Sequence, residues 1–181
     1  MYHMLQKSTT KKVLKIFLQE PTKVHYLKEI SRKTGIAHTS ISKILEEFLK
    51  EEIITIKKET KGSRVFPEYM YNFHKRENKT IKRLNNIEYI FESKLIEQLI
   101  TKTSPRCITL FGSYEKGEDT EESDIDIYIE AENINLDLRK YEELLKRKIE
   151  LHFNMDIKNY PKELRNNIAN GTNLFGQFYL Y

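Results

Sequence analysis

The residues best suited to chemistry lie in the last third of the chain. Ser123-Asp124-Ile125-Asp126-Ile127-Tyr128-Ile129 alternates with a period of two. Ile125, Ile127 and Ile129 therefore share one side of a strand, and Asp124 and Asp126 share the other. Carboxylates at i and i+2 stand about 6–7 Å apart along a strand, close enough for their oxygens to share metal ions. Like charges so placed repel unless a cation sits between them. Lys148-Ile149-Glu150-Leu151-His152-Phe153 alternates again, with Ile149, Leu151 and Phe153 inward and Glu150 beside His152 outward. Glu150 thus offers a third carboxylate from a neighbouring strand. His152 reads as a neighbour of the group rather than a ligand or catalyst. The alternative for Asp124 and Asp126 is the solvent face of an edge strand, and for Glu150 a plain surface position.

These residues need elements to hold them. Cys107-Ile108-Thr109-Leu110-Phe111 is a continuous apolar run, fit for a buried strand with Cys107 in the core, and it ends at Gly112-Ser113. From about Asn78 to Thr101 a helical pattern turns Ile81, Leu84, Ile87, Ile90, Phe91, Leu95, Leu99 and Ile100 inward, until Thr103-Ser104-Pro105 breaks it. Pro161 to Ile168 suggests a further helix, ended by Asn170-Gly171. The apolar, aromatic finish from Leu174 to Tyr181 suits a terminal strand or a partner-facing patch, and we expect a homodimer from it.

Gly112-Ser113, the spacer through Lys116-Gly117, and Ser123-Asp124-Ile125-Asp126 resemble the signature of the minimal nucleotidyltransferases of the DNA polymerase β-like superfamily. The resemblance runs over roughly residues 90–181. It implies that Gly112 lets the backbone approach the β- and γ-phosphates of a nucleoside triphosphate. Ser113 would donate hydrogen bonds to them, and Lys116 would add a positive charge. Asp124, Asp126 and Glu150 would be catalytic and would bind two Mg²⁺ ions, Glu150 also helping to deprotonate the attacking hydroxyl. The implied substrate is an NTP, with ATP the first expectation. The family includes members paired with a toxin whose tyrosine is modified, so a protein acceptor is one expected partner. The sequence departs from the family pattern in having Lys116 for Arg and Glu150 for Asp. Its spacer is also acidic, with Glu115, Glu118, Asp119, Glu121 and Glu122; these read as a solvated charge run or as extra cation ligands.

The front of the chain reads as three short helices and a basic hairpin. Lys12 to Leu18 has helical apolar spacing before Pro21, and a second helix runs from about Tyr26 to Lys33, ended by Thr34-Gly35. A third starts near Thr39 or Ser40, either of which can cap it, and carries Ile41, Ile44, Leu45, Phe48 and Leu49 on one face. Ile53 to Lys58 reads as a strand, Thr60-Lys61-Gly62-Ser63 as a turn, and Arg64 to Phe66 as a returning strand ended by Pro67. This order, over roughly residues 8–67, resembles a winged helix-turn-helix domain. On that resemblance Thr39, Ser40, Ser42 and Lys43 would face bases or phosphates of double-stranded DNA, and Lys57, Lys58, Lys61 and Arg64 would meet phosphates. A protein-interaction or dimerisation module is the alternative. Tyr69, Tyr71, Phe73 and His74 read as a linker whose aromatics pack two domains together.

Charge supports the division. Residues 1–66 carry 14 Lys/Arg against 7 Asp/Glu, and residues 105–181 carry 10 against 15, within a 181-residue chain of formal net charge +4. No apolar run approaches the ~20 residues a bilayer-spanning helix needs, the first seven residues lack a signal-peptide core, and one cysteine fits a reducing cytoplasm. We therefore expect a cytoplasmic α+β protein without a membrane partner. Its parts would be a winged helix-turn-helix domain (1–67), a helical connector (68–104) and a nucleotidyltransferase fold with a short mixed sheet flanked by helices (105–181). The expected activity is nucleoside monophosphate transfer to an unknown hydroxyl, with DNA binding for regulation or targeting. The competing expectation is a DNA-binding transcriptional regulator that senses nucleotide without catalysis.

Overall fold

The computed structural model describes residues 8–61 and 64–177; of residues 58–61 and 64–65 only the backbone is described. Gly62 and Ser63 of the expected turn, and Phe178 to Tyr181 of the aromatic finish, lie outside the described residues. The chain divides into two compact units, Met1–Asn78 and Lys79–Tyr181. None of its described helices is long and apolar enough to cross a membrane.

The first unit holds α1 (Ser8–Gln19), α2 (Leu27–Thr34), α3 (His38–Lys50), β1 (Ile54–Lys61) and β2 (Arg64–Tyr71). Val13, Leu14, Phe17, Ile30, Ile41, Leu45 and Phe48 from the three helices are buried, as their i, i+3, i+4 spacing requires. Gly35 ends α2 at φ 69°, a left-handed cap that a side chain would strain. Helix α3 starts one residue before Thr39, and neither Thr39 nor Ser40 caps it. Instead the Ala37 carbonyl, in extended backbone, accepts from the Ser40 and Ile41 amides at 3.0 and 3.1 Å. Strand β2 also differs from expectation, since it runs through Pro67 to Tyr71 and pairs antiparallel with β1 along its whole length. A proline fits in a two-stranded ribbon, where one side of each strand needs no partner. Tyr69 and Tyr71 are therefore buried strand residues of this unit rather than linker aromatics. The Tyr71 hydroxyl donates to the Asn78 carbonyl at 2.6 Å.

Helix α4 (Arg76–Glu92) carries the chain into the second unit, followed by α5 (Leu95–Thr103), β3 (Cys107–Phe111), α6 (Gly112–Lys116), β4 (Ile125–Ile129), α7 (Arg139–Leu145), β5 (Ile149–Phe153), α8 (Lys162–Ala169) and β6 (Thr172–Gly176). The single long helix expected over Asn78–Thr101 is two, because Lys94 takes a left-handed φ of 66°. Leu84 and Phe91 of α4 are exposed, not inward. The four-stranded sheet has the order β5-β4-β3-β6, with β4 and β5 parallel and the other pairs antiparallel. Ile108, Leu110, Ile125, Ile127 and Ile129 face one side and pack with Ile90, Leu95, Ile96 and Leu99 of α4 and α5. The opposite side buries Cys107, Phe111 and Tyr128 with Ile157 and Ile168. Both faces of the sheet are covered near its centre, which gives the continuous apolar run of β3 its physical reason.

Candidate functional site

The sheet brings three of the chemistry-bearing side chains together. Parallel pairing sets Asp126 of β4 opposite Glu150 of β5, and Tyr128 opposite His152. One ligand atom from each of Asp126, Glu150 and His152 lies within 4.8 Å of the others. The His152 Nε2 stands 3.4 Å from Asp126 Oδ1 and 4.0 Å from Glu150 Oε1, and its ring packs on Phe111 at 5.1 Å. A carboxylate pair of this kind, half-buried at Asp126 and exposed at Glu150, has the oxygen donors that suit a hard divalent cation, and His152 adds a nitrogen. Asp124 is exposed, precedes β4, and stands outside this cluster of three. His152 is the member that sequence reasoning left aside. Its signal was present in the same-face spacing with Glu150.

The signature glycine has a defined part in this geometry. Chain direction changes at the end of β3, where Gly112 takes φ +79° and opens α6. A Cβ at Gly112 would collide with the Asp126 carboxylate, so only glycine lets β3 end against that side chain. Ser113 is partly exposed beside it, and Lys116 is fully on the surface. Gly117 closes α6 at φ 69°, and a Cβ there would strike the backbone of α4 at Lys79 and Arg83.

Two residues of the acidic spacer, Glu115 and Asp119, are buried and engaged by cationic partners, while Glu118 and Glu122 are exposed. Asp119 is fully buried, and its Oδ1 accepts from Lys82 Nζ at 2.5 Å and from Asn86 Nδ2 at 2.8 Å, while its Oδ2 accepts from Arg147 Nη2 at 3.3 Å. Glu115 is buried against Arg83 and accepts from the Thr172 hydroxyl at 2.7 Å. Glu118 pairs with Lys79 at 2.7 Å. Burial lowers the Lys82 pKa against the opposing attraction of Asp119. Asp119 thus ties together α4, the spacer that leads to Asp126, and the turn that leads to Glu150. An open groove of about 520 Å³, lined by Asn133, Ile134, Asn135, Leu136, Leu151 and Phe153 among others, lies on the other side of β5 and contains none of the three clustered residues.

In the first unit, Thr39, Ser40 and Lys43 are exposed on α3, Ser42 is half-buried, and Lys57 is exposed on β1. Lys58, Lys61 and Arg64 lie on the hairpin, with Lys61 directly across from Arg64, but their side chains lie outside the described residues.

Comparison with curated proteins and with solved structures gave no match. Residues 93–177, which hold the sheet, Gly112 and all three clustered residues, match the family model described as Polymerase beta, Nucleotidyltransferase, so this part of the chain is similar to a nucleotidyltransferase domain.

Proposed function

We propose that the second unit transfers a nucleoside monophosphate from an NTP to a hydroxyl acceptor. The observation that supports this most directly is the in-register pairing of Asp126 with Glu150 beside a glycine that permits close approach. Gly112 and Ser113 would lie against the β- and γ-phosphates, with Lys116 adding a cationic side chain on the same short helix. Asp126 and Glu150, with Asp124 alongside, would hold Mg²⁺, whose positive charge offsets the charge that builds on the α-phosphate. The acceptor oxygen attacks the α-phosphorus, the bond from that phosphorus to the bridging oxygen breaks, and pyrophosphate leaves. The acceptor proton would pass to a carboxylate, the role proposed for Glu150, and then to water.

The first unit, in this proposal, is a winged helix-turn-helix module that binds double-stranded DNA through α3 and the basic hairpin. The non-catalytic alternative drew its support from the acidic spacer. With Glu115, Glu118 and Asp119 engaged by Arg83, Lys79 and Lys82, that support weakens.

The test is incubation with each α-labelled NTP, Mg²⁺ and cell extract, beside the variant Asp126→Asn/Glu150→Gln. Labelled product with the native chain and none with the variant is the expected outcome. Absence of label with every nucleotide, or equal label with both proteins, would reject transfer and favour nucleotide sensing.

A further inference from the structure

The first unit contains a second group of ionisable side chains with no part in the function above. Glu20 follows α1, His25 forms an extended bridge to Tyr69 of β2, and Glu29 lies in the first turn of α2. One ligand atom from each lies within 4.8 Å of the others. The His25 ring is completely buried, edge-on to Phe17. Its Nε2 is 3.1 Å from the Glu20 main-chain oxygen. A carbonyl only accepts, so Nε2 carries a proton. Burial lowers the His25 pKa, which favours the neutral ring and leaves a lone pair on Nδ1. Among the described residues that Nδ1 has no hydrogen-bond partner, and it stands 4.0 Å from Glu20 Oε2. Two electron-pair donors therefore face each other with no proton between them.

An imidazole fixed through one nitrogen by a backbone carbonyl, with the other nitrogen beside carboxylates, is the arrangement of a metal-ligating histidine with its supporting bond. We propose that His25 Nδ1, Glu20 and Glu29 form a site for a zinc-like divalent ion, with solvent completing the coordination. One nitrogen and two carboxylates suit Zn²⁺ or Co²⁺ better than Mg²⁺ or Ca²⁺, which prefer oxygen donors throughout. Bond lengths of about 2.0–2.2 Å place tetrahedral donors somewhat closer together than these now stand, a change that side-chain rotation of the two glutamates can supply.

The carboxylates are at present matched by lysines. Lys33 Nζ lies 2.6 Å from Glu20 Oε2 and 3.0 Å from Glu29 Oε1, and Lys23 Nζ lies 3.2 Å and 3.6 Å from the same two residues. Both ammonium groups reach solvent, and such pairs are individually weak. The lysines therefore compete with the ion for the same oxygens and can turn into water when it binds. This competition gives the site a signature that chance surface binding lacks, because loss of Lys33 must tighten ion binding.

The test uses the full chain carrying Asp126→Asn/Glu150→Gln, so that the other acidic cluster contributes little. Zn²⁺ is titrated calorimetrically and Co²⁺ by visible absorption. The expected result is one ion per chain, with the intense Co²⁺ bands of a four-coordinate site and a rise in thermal midpoint on Zn²⁺ addition. Glu29→Gln, a partly exposed substitution that spares the core, should weaken binding about tenfold or more. Lys33→Met should tighten it several-fold. His25→Gln removes a buried ring, so Glu29→Gln and Lys33→Met carry the decision. No uptake, uptake unchanged by Glu29→Gln, or binding not tightened by Lys33→Met would overturn the site.

Discussion

At the scale of single residues, Gly112 is the position where backbone and chemistry are hardest to separate. An alanine there meets two penalties, the left-handed φ of +79° and the Asp126 carboxylate in the volume its methyl would need. The backbone penalty alone is roughly 1–2 kcal/mol. Gly112→Ala should therefore lower unfolding stability by at least that amount, read by urea titration, and reduce labelled transfer to the level of Asp126→Asn. Full transfer by Gly112→Ala would mean that Asp126 does not depend on this contact. Cys107 permits a pH prediction on the same sheet. Burial, with the Glu130 carboxylate nearby, pushes its thiol from the ordinary 9.0 up to about 12. A raised pKa means the native state holds a proton that the unfolded chain gives up. Its contribution to stability is complete below pH 9 and is lost as pH rises toward 12. Between pH 9 and 10, before tyrosines take over, stability should fall with a slope approaching about 1.4 kcal/mol per pH unit. Cys107→Ala should flatten that interval, and an unchanged slope would assign the loss to another group.

At the scale of elements, the spacer between β3 and β4 is fixed by partners far away in sequence. Removing Asp119 would leave Lys82 charged and buried, a situation that costs about 3–5 kcal/mol, whereas exposed pairs such as Lys79–Glu118 are worth about 0–1 kcal/mol. Asp119→Ala should thus destabilise the chain severely and Glu118→Ala hardly at all, as urea midpoints would show. Equal effects would mean that Asp119 is not the anchor. The same network marks where the sequence stopped being legible. Strand β3 follows from its continuous apolar run, and β4 and β5, with Asp126 and Glu150 on their outward faces, follow from alternation, all local properties. The partners of Glu115 and Asp119 lie 28 to 57 residues away, on α4, β6 and the turn before β5, and no local pattern points to them. A loop full of acids therefore read as solvated when two of its members are core. The break at Ser93-Lys94 was hidden for a related reason, since it uses neither glycine nor proline. Pro67 misled in the opposite sense, because a terminator in a central strand is tolerated in a two-stranded ribbon. Asp124 shares the period of Asp126 yet precedes the strand, so periodicity alone overstated what the sheet holds in place.

At the scale of the molecule, the formal charge of +4 conceals an imbalance that bears on DNA binding. The 14 Lys/Arg and 7 Asp/Glu of residues 1–66 make that segment cationic, while the excess of acids over residues 105–181 would repel a polyanion. If the proposed DNA binding holds, the attraction would be local to the first unit and carried by phosphate contacts, each of which releases counterions when it forms. Affinity for a duplex should fall linearly on a log–log plot against salt, with a slope of about −0.9 for each phosphate neutralised. Lys57→Glu, at an exposed position on β1, should weaken binding to all duplex sequences alike and make the slope shallower by about one. Lys94→Glu, an exposed lysine of the second unit, serves as the matched control for a simple change in net charge and should leave both quantities nearly unaltered. Equal losses from the two substitutions would show that overall charge, not the hairpin, governs the attraction. Binding that does not respond to salt would remove the phosphate contacts on which the DNA-binding proposal rests.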